Sequence, residues 1–191
     1  MSNKKPKIFL AVVGAGKTYQ ICNKLDINKR NLILSYTHEN ITNINKELTS
    51  DNKKYPENTV IMTFDSFLLR FFIWPLYKKI FTELFNKPYK NNKNLSFVAK
   101  KFDSNKLWEF SKNNFNRYFS KDSEGNFYLH NNEVPTLILN DEKKFLDGST
   151  LFSKGIDRIN LFFDAVYIDE FQDYRGDKFH LMTKIMLTTF Y

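Results

Sequence analysis

The sequence predicts an α/β fold: a parallel sheet flanked by helices, with a largely helical insertion between its strands. Three observations carry that expectation. Apolar runs at Lys7–Val13, Asn31–Tyr36 and Thr59–Met62 are each followed by a stretch with helical spacing, and strand-then-helix units in succession build parallel sheets through right-handed crossovers. A further apolar run, Phe162–Ile168, returns after a long segment of different character. A glycine-rich turn follows Val13 and an acidic cluster follows Ile168, so two of the expected strands end in unusual residues.

Each element has its own warrant. Lys7–Val13 is rich in β-branched residues, as a strand buried on both faces requires. Gly14-Ala15-Gly16 breaks it, and from Lys17 to Leu25 the residues Ile21, Cys22 and Leu25 share one helical face. Asn31–Tyr36 is the second strand, leading through Thr37 into a helix with Ile41, Ile44 and Leu48 at helical spacing. Thr59–Met62 is the third, followed by Thr63-Phe64-Asp65-Ser66 and an apolar helix up to Trp74-Pro75. From about Leu76 to Asn160 the chain is rich in Lys, Asn and Phe and reads as an insertion. Within it, Asp103-Ser104 is expected to cap a helix whose Leu107, Trp108, Ser111, Phe115, Tyr118 and Phe119 share a broad face. Ser123-Glu124-Gly125-Asn126 reads as a turn and Val134–Leu139 as a short strand. Phe162–Ile168 returns as a buried strand, and Lys178–Phe190 closes the chain as a helix. Trp74, Trp108 and the aromatics from Phe67 to Phe72 are expected in the core, with Cys22 as a small core residue and His38 and His180 at the surface.

Composition bounds the function. With 191 residues, 42% of them hydrophobic, and 20 Phe, the chain can bury a real core, which excludes a disordered or low-complexity polypeptide. Its 29 Lys and Arg against 21 Asp and Glu leave a net charge of +8, which favours a polyanionic partner. The single cysteine excludes an internal disulfide framework and a cysteine-based zinc site, and the three histidines are too widely spaced for a metal-ligand pattern. No apolar run has the length of a membrane span. The basic start and apolar stretch of the N-terminus have the outline of a signal peptide, but they run straight into Gly-Ala-Gly-Lys-Thr, which has its own explanation. The expected location is cytoplasmic, with no membrane partner.

Ala11-Val12-Val13-Gly14-Ala15-Gly16-Lys17-Thr18 meets the phosphate-loop pattern G-x-x-x-x-G-K-[ST] except that Ala11 replaces the first Gly. Gly14 and Gly16, with Ala15 between them, let backbone N–H groups turn inward around a phosphate. The helix starting at Lys17 aims its positive end at the same place. Lys17 can reach the β- and γ-phosphates, the Thr18 hydroxyl can ligate Mg²⁺, and Tyr19 follows as a further nucleotide contact. On the residues alone, the alternative is a glycine turn with a chance Lys-Thr. At the other strand end, an acidic pair suits a nucleotide-bound Mg²⁺, with Asp169 holding the ion's shell and Glu170 polarising the attacking water. The alternative there is a solvated acidic turn. Each motif supplies what the other lacks, and ligands in such sheets bind at the carboxyl ends of strands.

Together these motifs resemble the first RecA-like core domain of the UvrD/Rep type of superfamily 1 helicases. Ala11–Thr18 resembles the family's Walker A motif, in which an initial Ala is common. Asp169-Glu170-Phe171-Gln172-Asp173 resembles its D-E-x-Q-D form of Walker B. Leu34-Ser35-Tyr36-Thr37-His38 resembles motif Ia, and Thr63-Phe64-Asp65-Ser66-Phe67 resembles the T-[FI]-H-[SG]-[FL] motif that contacts DNA. The resemblance covers about residues 7–75 and 160–191. It implies a RecA-like core over 1–75 and 160–191, with residues 76–159 in the place of an accessory helical subdomain.

The resemblance implies ATP and Mg²⁺ as cofactors, with Lys17 and Thr18 on phosphate and metal, Asp169 supporting the metal and Glu170 activating water. Gln172 would sense the γ-phosphate and couple it to movement. Thr37, Phe64 and Ser66 would face a single DNA strand, Phe64 by stacking on a base. Asp65 departs from the family's His and puts an acid beside a phosphate backbone. No Gln-containing adenine-recognition motif precedes the first strand, and the family's later motifs do not follow DEFQD. Hydrolysis is therefore expected to need a second RecA-like domain or a partner protein supplying an arginine finger. Two other functions remain open on the sequence: a non-motor interaction module that keeps the nucleotide but works through a protein partner, and a small P-loop kinase. Against the kinase, DEFQD is not a kinase pattern and no Arg-rich lid is visible.

Overall fold

The computed structural model describes residues 17–50, 57–89, 96–98 and 107–188. Its elements in chain order are α1 (Lys17–Lys24), β1 (Asn31–Ser35), α2 (His38–Thr49), β2 (Thr59–Thr63), α3 (Phe64–Leu68), α4 (Tyr77–Lys79), β3 (Ser96–Val98), α5 (Phe115–Tyr118), β4 (Phe119–Lys121), β5 (Phe127–His130), α6 (Val134–Ile138), α7 (Leu151–Phe162), β6 (Ala165–Ile168) and α8 (Gly176–Thr188). The strand expected over Lys7–Val13, the turn Gly14–Gly16 and the Asp103-Ser104 cap lie outside the described residues. Of Lys17 and Thr18 only the helical backbone is described. The chain divides into two units, Met1–Phe67 with Ile156–Tyr191, and Leu68–Gly155. The boundaries read from the sequence lie further along the chain, at 75/76 and 159/160.

The first unit is built on a parallel sheet, with β1 between β2 and β6 among the described residues. β1 is buried throughout, and its Leu32, Ile33 and Leu34 are fully enclosed, which is why the middle of the run NLILS is continuously apolar. Alternation along the strand sends Ile33 to one face, where it joins Ile44 and Leu48 of α2, with Ile21, Cys22, Leu25, Ile61 and Tyr167 around them. Cys22, expected as a core residue, is half-buried against that core. Thr37 caps α2: its Oγ1 accepts the Asn40 amide at 3.1 Å, with Glu39 in the first turn and Lys46 in the last to suit the helix dipole. Arg30 ties the start of β1 to the start of β6. Its Nη2 and Nε donate to the Asp164 carboxylate at 2.6 and 3.0 Å, and its Nη1 donates to the Leu161 carbonyl at 2.7 Å. That pairing holds the Asp164 carboxyl well below the usual carboxylate range. The last strand is shorter than expected: α7 continues through Phe162, so β6 begins at Ala165 and Phe162 is exposed.

The second unit packs around aromatic rings. Phe81 lies 4.8 to 6.2 Å from the rings of Tyr77, Tyr89, Phe115, Phe119 and Phe127. Beside its helices the unit carries a small mixed sheet, β5 pairing parallel with β3 and antiparallel with β4, which the sequence reading does not contain. The β4–β5 hairpin turns at the expected Ser123–Asn126, where Gly125 takes a φ of +90° and the Asp122 carboxylate accepts the Asn126 amide at 2.8 Å. The buried Glu133 carboxylate meets the Arg117 Nε at 2.6 Å, which offsets its desolvation. Phe72 packs close to the backbone at Gly155, where a Cβ would fall 2.1 Å from the ring, so only glycine fits.

Three expectations in this unit are corrected. Val134–Leu139 is not a strand: Val134–Ile138 is the buried helix α6, with Pro135 in the first turn, where its missing N–H costs nothing. Full burial of a short run looks the same in either structure. The helix expected through Leu107–Phe119 is broken into a 3₁₀ turn at Leu107–Phe110 and α5. Asn114 restarts the chain by accepting the Asn116 amide at 3.0 Å, and Phe119 already belongs to β4. Trp74 is not in the core but 55% exposed, in a 3₁₀ turn with Pro75 that ends the preceding π turns. Phe67, Phe71 and Phe72 are buried as expected.

Candidate functional site

Because β2, β1 and β6 are parallel, their carboxyl ends lie on one edge of the sheet. Ser35 is in register with Thr63 and Leu34 with Ile168. The next residue of β6's strand end, Asp169, donates its amide to the Leu34 carbonyl at 2.8 Å. This places Ser35-Tyr36-Thr37, Thr63–Ser66 and Asp169–Asp173 together, where open α/β sheets hold ligands.

Asp169 is buried, 2% exposed, and its Oδ2 accepts from the Ser35 hydroxyl at 3.5 Å, the long end of a hydrogen bond. Glu170 has left-handed backbone, φ 55° and ψ 40°, a conformation that costs free energy in a residue carrying a Cβ. The sharp turn it makes brings Gln172 back so that its Nε2 donates to the Glu170 carboxylate. The turn is closed by the Asp173 amide on the Glu170 carbonyl at 2.9 Å, and Arg175 Nη1 donates to the carbonyls of Gln172 and Tyr174. The pair offers hard oxygen donors, one enclosed and one half-buried at the turn, a donor set that suits Mg²⁺. Among the described residues no group of three or more His, Cys, Asp or Glu can hold a metal by itself. Mg²⁺ that arrives with a nucleotide takes only one or two carboxylates, the rest being phosphate and water, so the residues present fit that mode.

Tyr174 is the centre of the site's packing. Its ring meets Phe64 at 5.0 Å and Tyr36 at 5.4 Å, both edge-on, and Phe171 at 6.4 Å. Its hydroxyl is buried and makes no hydrogen bond to the described residues. Burial first, and the neighbouring carboxylates of Asp65 and Asp169 second, push the phenol far above its usual range.

The expected DNA-facing residues separate. Phe64 is only 1% exposed and stacks on Phe67 beneath Tyr174, so the expectation that its ring holds a base is corrected: the ring belongs to the core. Thr37 is exposed and caps α2. Ser66 is exposed, and its hydroxyl accepts from Thr63 Oγ1 at 2.9 Å. Tyr19 is exposed on the first turn of α1, and Gly14, Ala15 and Gly16 are outside the described residues.

Asp65 is exposed and pairs with Lys178 of α8 at 2.7 Å; the same ammonium lies 5.9 Å from the Tyr36 ring centroid. Neither Lys178 nor Tyr174 is singled out by sequence reading. The one signal available was Asp65 itself, an acid in a basic chain with no neighbouring cation in its own motif. Among the described residues no helix is long and apolar enough to cross a membrane. No protein-family model, curated protein or solved structure matches the chain.

Proposed function

We propose that this chain is an ATP- and Mg²⁺-binding core of the UvrD/Rep helicase type, which contacts single-stranded DNA and hydrolyses ATP only with a second RecA-like domain or a partner. The observation that supports it best is the convergence at one sheet edge of the buried Asp169, the left-handed Glu170 and the exposed Thr37 and Ser66. On this reading the backbone of Gly14–Gly16 and the Lys17 ammonium bind the phosphates, while Thr18 and Asp169 hold Mg²⁺. Bound Mg²⁺ supplies charge neutralisation on the β- and γ-phosphates. Glu170 orients a water and takes its proton; its bond from Gln172 keeps the carboxylate in place until the nucleotide arrives. Gln172 then senses the γ-phosphate. The missing cation is an arginine from elsewhere, worth on the order of 10³-fold or more in phosphoryl transfer.

The test is ATP binding and turnover by the chain, with and without an oligothymidylate strand. Lys17→Ala is expected to abolish nucleotide binding. Glu170→Gln is expected to keep binding and lose whatever turnover a second domain or self-association restores. ATP affinity equal in wild type and Lys17→Ala would sink the reading.

A further inference from the structure

The Asp65–Lys178 pair joins two positions 113 residues apart in sequence, at the start of α3 and in the first turn of α8. Asp65 is 56% exposed, Lys178 25%. The ammonium sits between the carboxylate and the face of Tyr36, itself 44% exposed and held edge-on by Tyr174. Ser66 and Thr37, both exposed hydroxyls, flank Asp65 and Tyr36 in the chain. An ion pair whose carboxylate is more than half open to water contributes little to stability, because water screens it and two side chains lose freedom to make it. The ammonium is therefore cheaply transferable from one anion to another. A strand of phosphates drawn in by a chain of net charge +8 presents such anions at high local concentration.

We propose that Lys178 is a phosphate seat for single-stranded nucleic acid and that Asp65 is its internal competitor, an acidic stand-in that a phosphate must displace. This rests on the nucleic-acid reading above and extends it. The acid that is unfavourable beside a phosphate backbone then has a role, setting a threshold on strand binding. Tyr36 is the floor that keeps the ammonium at the strand ends whichever anion it holds.

The experiment measures binding of a fluorescein-labelled oligothymidylate by anisotropy across a salt series, for wild type, Asp65→Asn, Lys178→Gln and the double variant, with ATP affinity recorded on the same preparations. Asp65→Asn is expected to tighten strand binding about two- to fivefold. Lys178→Gln should weaken it and lower the slope of log affinity against log salt by about 0.7, one phosphate contact on a single strand. In the Lys178→Gln background, Asp65→Asn should change nothing further. ATP affinity should be the same in all four. Equal tightening by Asp65→Asn in both backgrounds would overturn the proposal, since a long-range charge effect needs no Lys178. An unchanged salt slope in Lys178→Gln would also overturn it, as would ATP affinity that follows the variants. Lys17-dependent ATP binding with no strand binding by wild type overturns this inference alone, whereas loss of both removes the nucleotide reading as well.

Discussion

Aromatic rings have different neighbours in the two units. In Leu68–Gly155, Phe81 is surrounded by five other rings, one of them Tyr77, whose buried hydroxyl makes no hydrogen bond to the described residues and whose phenol is pushed up to about 12 by burial. In the sheet unit, Tyr174 is equally enclosed, but it lies among Asp65, Asp169 and Asp173, its hydroxyl makes no hydrogen bond to the described residues, and burial and these carboxylates push its phenol far up. The Tyr77 phenol is shifted by burial and a second phenol, that of Tyr89, whereas the Tyr174 phenol is shifted by burial and carboxylates. The Tyr174 ring thus lies among the polar groups at the ends of three strands. Both units bury an unbonded hydroxyl, so what sets the sheet unit apart is the set of carboxylates around its ring.

The largest test of that contrast is Phe81→Ala. Removing the ring at the centre of the cluster leaves a cavity that five stiff neighbours cannot close, so a stability loss of about 3–5 kcal/mol is expected in denaturant melts. A loss below about 1 kcal/mol would mean that the cluster is loosely packed and the contrast is false. Tyr174→Phe sharpens the other side. Because the hydroxyl is buried without a hydrogen bond to the described residues, deleting it should leave stability unchanged or raise it by up to about 1 kcal/mol. Clear destabilisation would show that the hydroxyl has a hydrogen-bond partner.

The smallest effect belongs to Asp164, whose carboxyl is depressed first by the Arg30 side-chain hydrogen bond and then by the Arg30 amide. A depressed pKa in the folded state stabilises above the unfolded value and loses that contribution as pH falls. Wild type should therefore lose stability below about pH 4 by a component that Asp164→Asn lacks. The pair is exposed, so the two proteins should differ only slightly in their acid melting curves. Superimposable slopes below about pH 4 would remove Arg30–Asp164 as a tie between β1 and β6.

Much of the sheet unit was legible in the residues. Leu32, Ile33 and Leu34 are apolar because both faces of a parallel strand lying between two others are covered, whereas the role of Thr37 as the cap of α2 was not read from the residues. The acidic pair after Ile168 falls at a strand end as read, but Asp169 itself stays buried, which its residue type does not announce. The other unit was less legible. Val134–Ile138 is buried all round, and such a run has no period to distinguish strand from helix. Asn114 ends one helical turn and starts another inside what reads as a single amphipathic face.

By itself, then, the sequence determined which segments must be covered and which apolar runs stop in a glycine turn or an acidic cluster, because periodicity and turn residues act over a few positions. Only the tertiary structure decided that Phe64 faces the core and not a base, that Tyr174 lies buried beneath the strand ends, and that Asp65 has a partner. Those outcomes depend on α8 returning Lys178 and on the register of β6 against β1, relations between residues more than a hundred positions apart that no local pattern encodes.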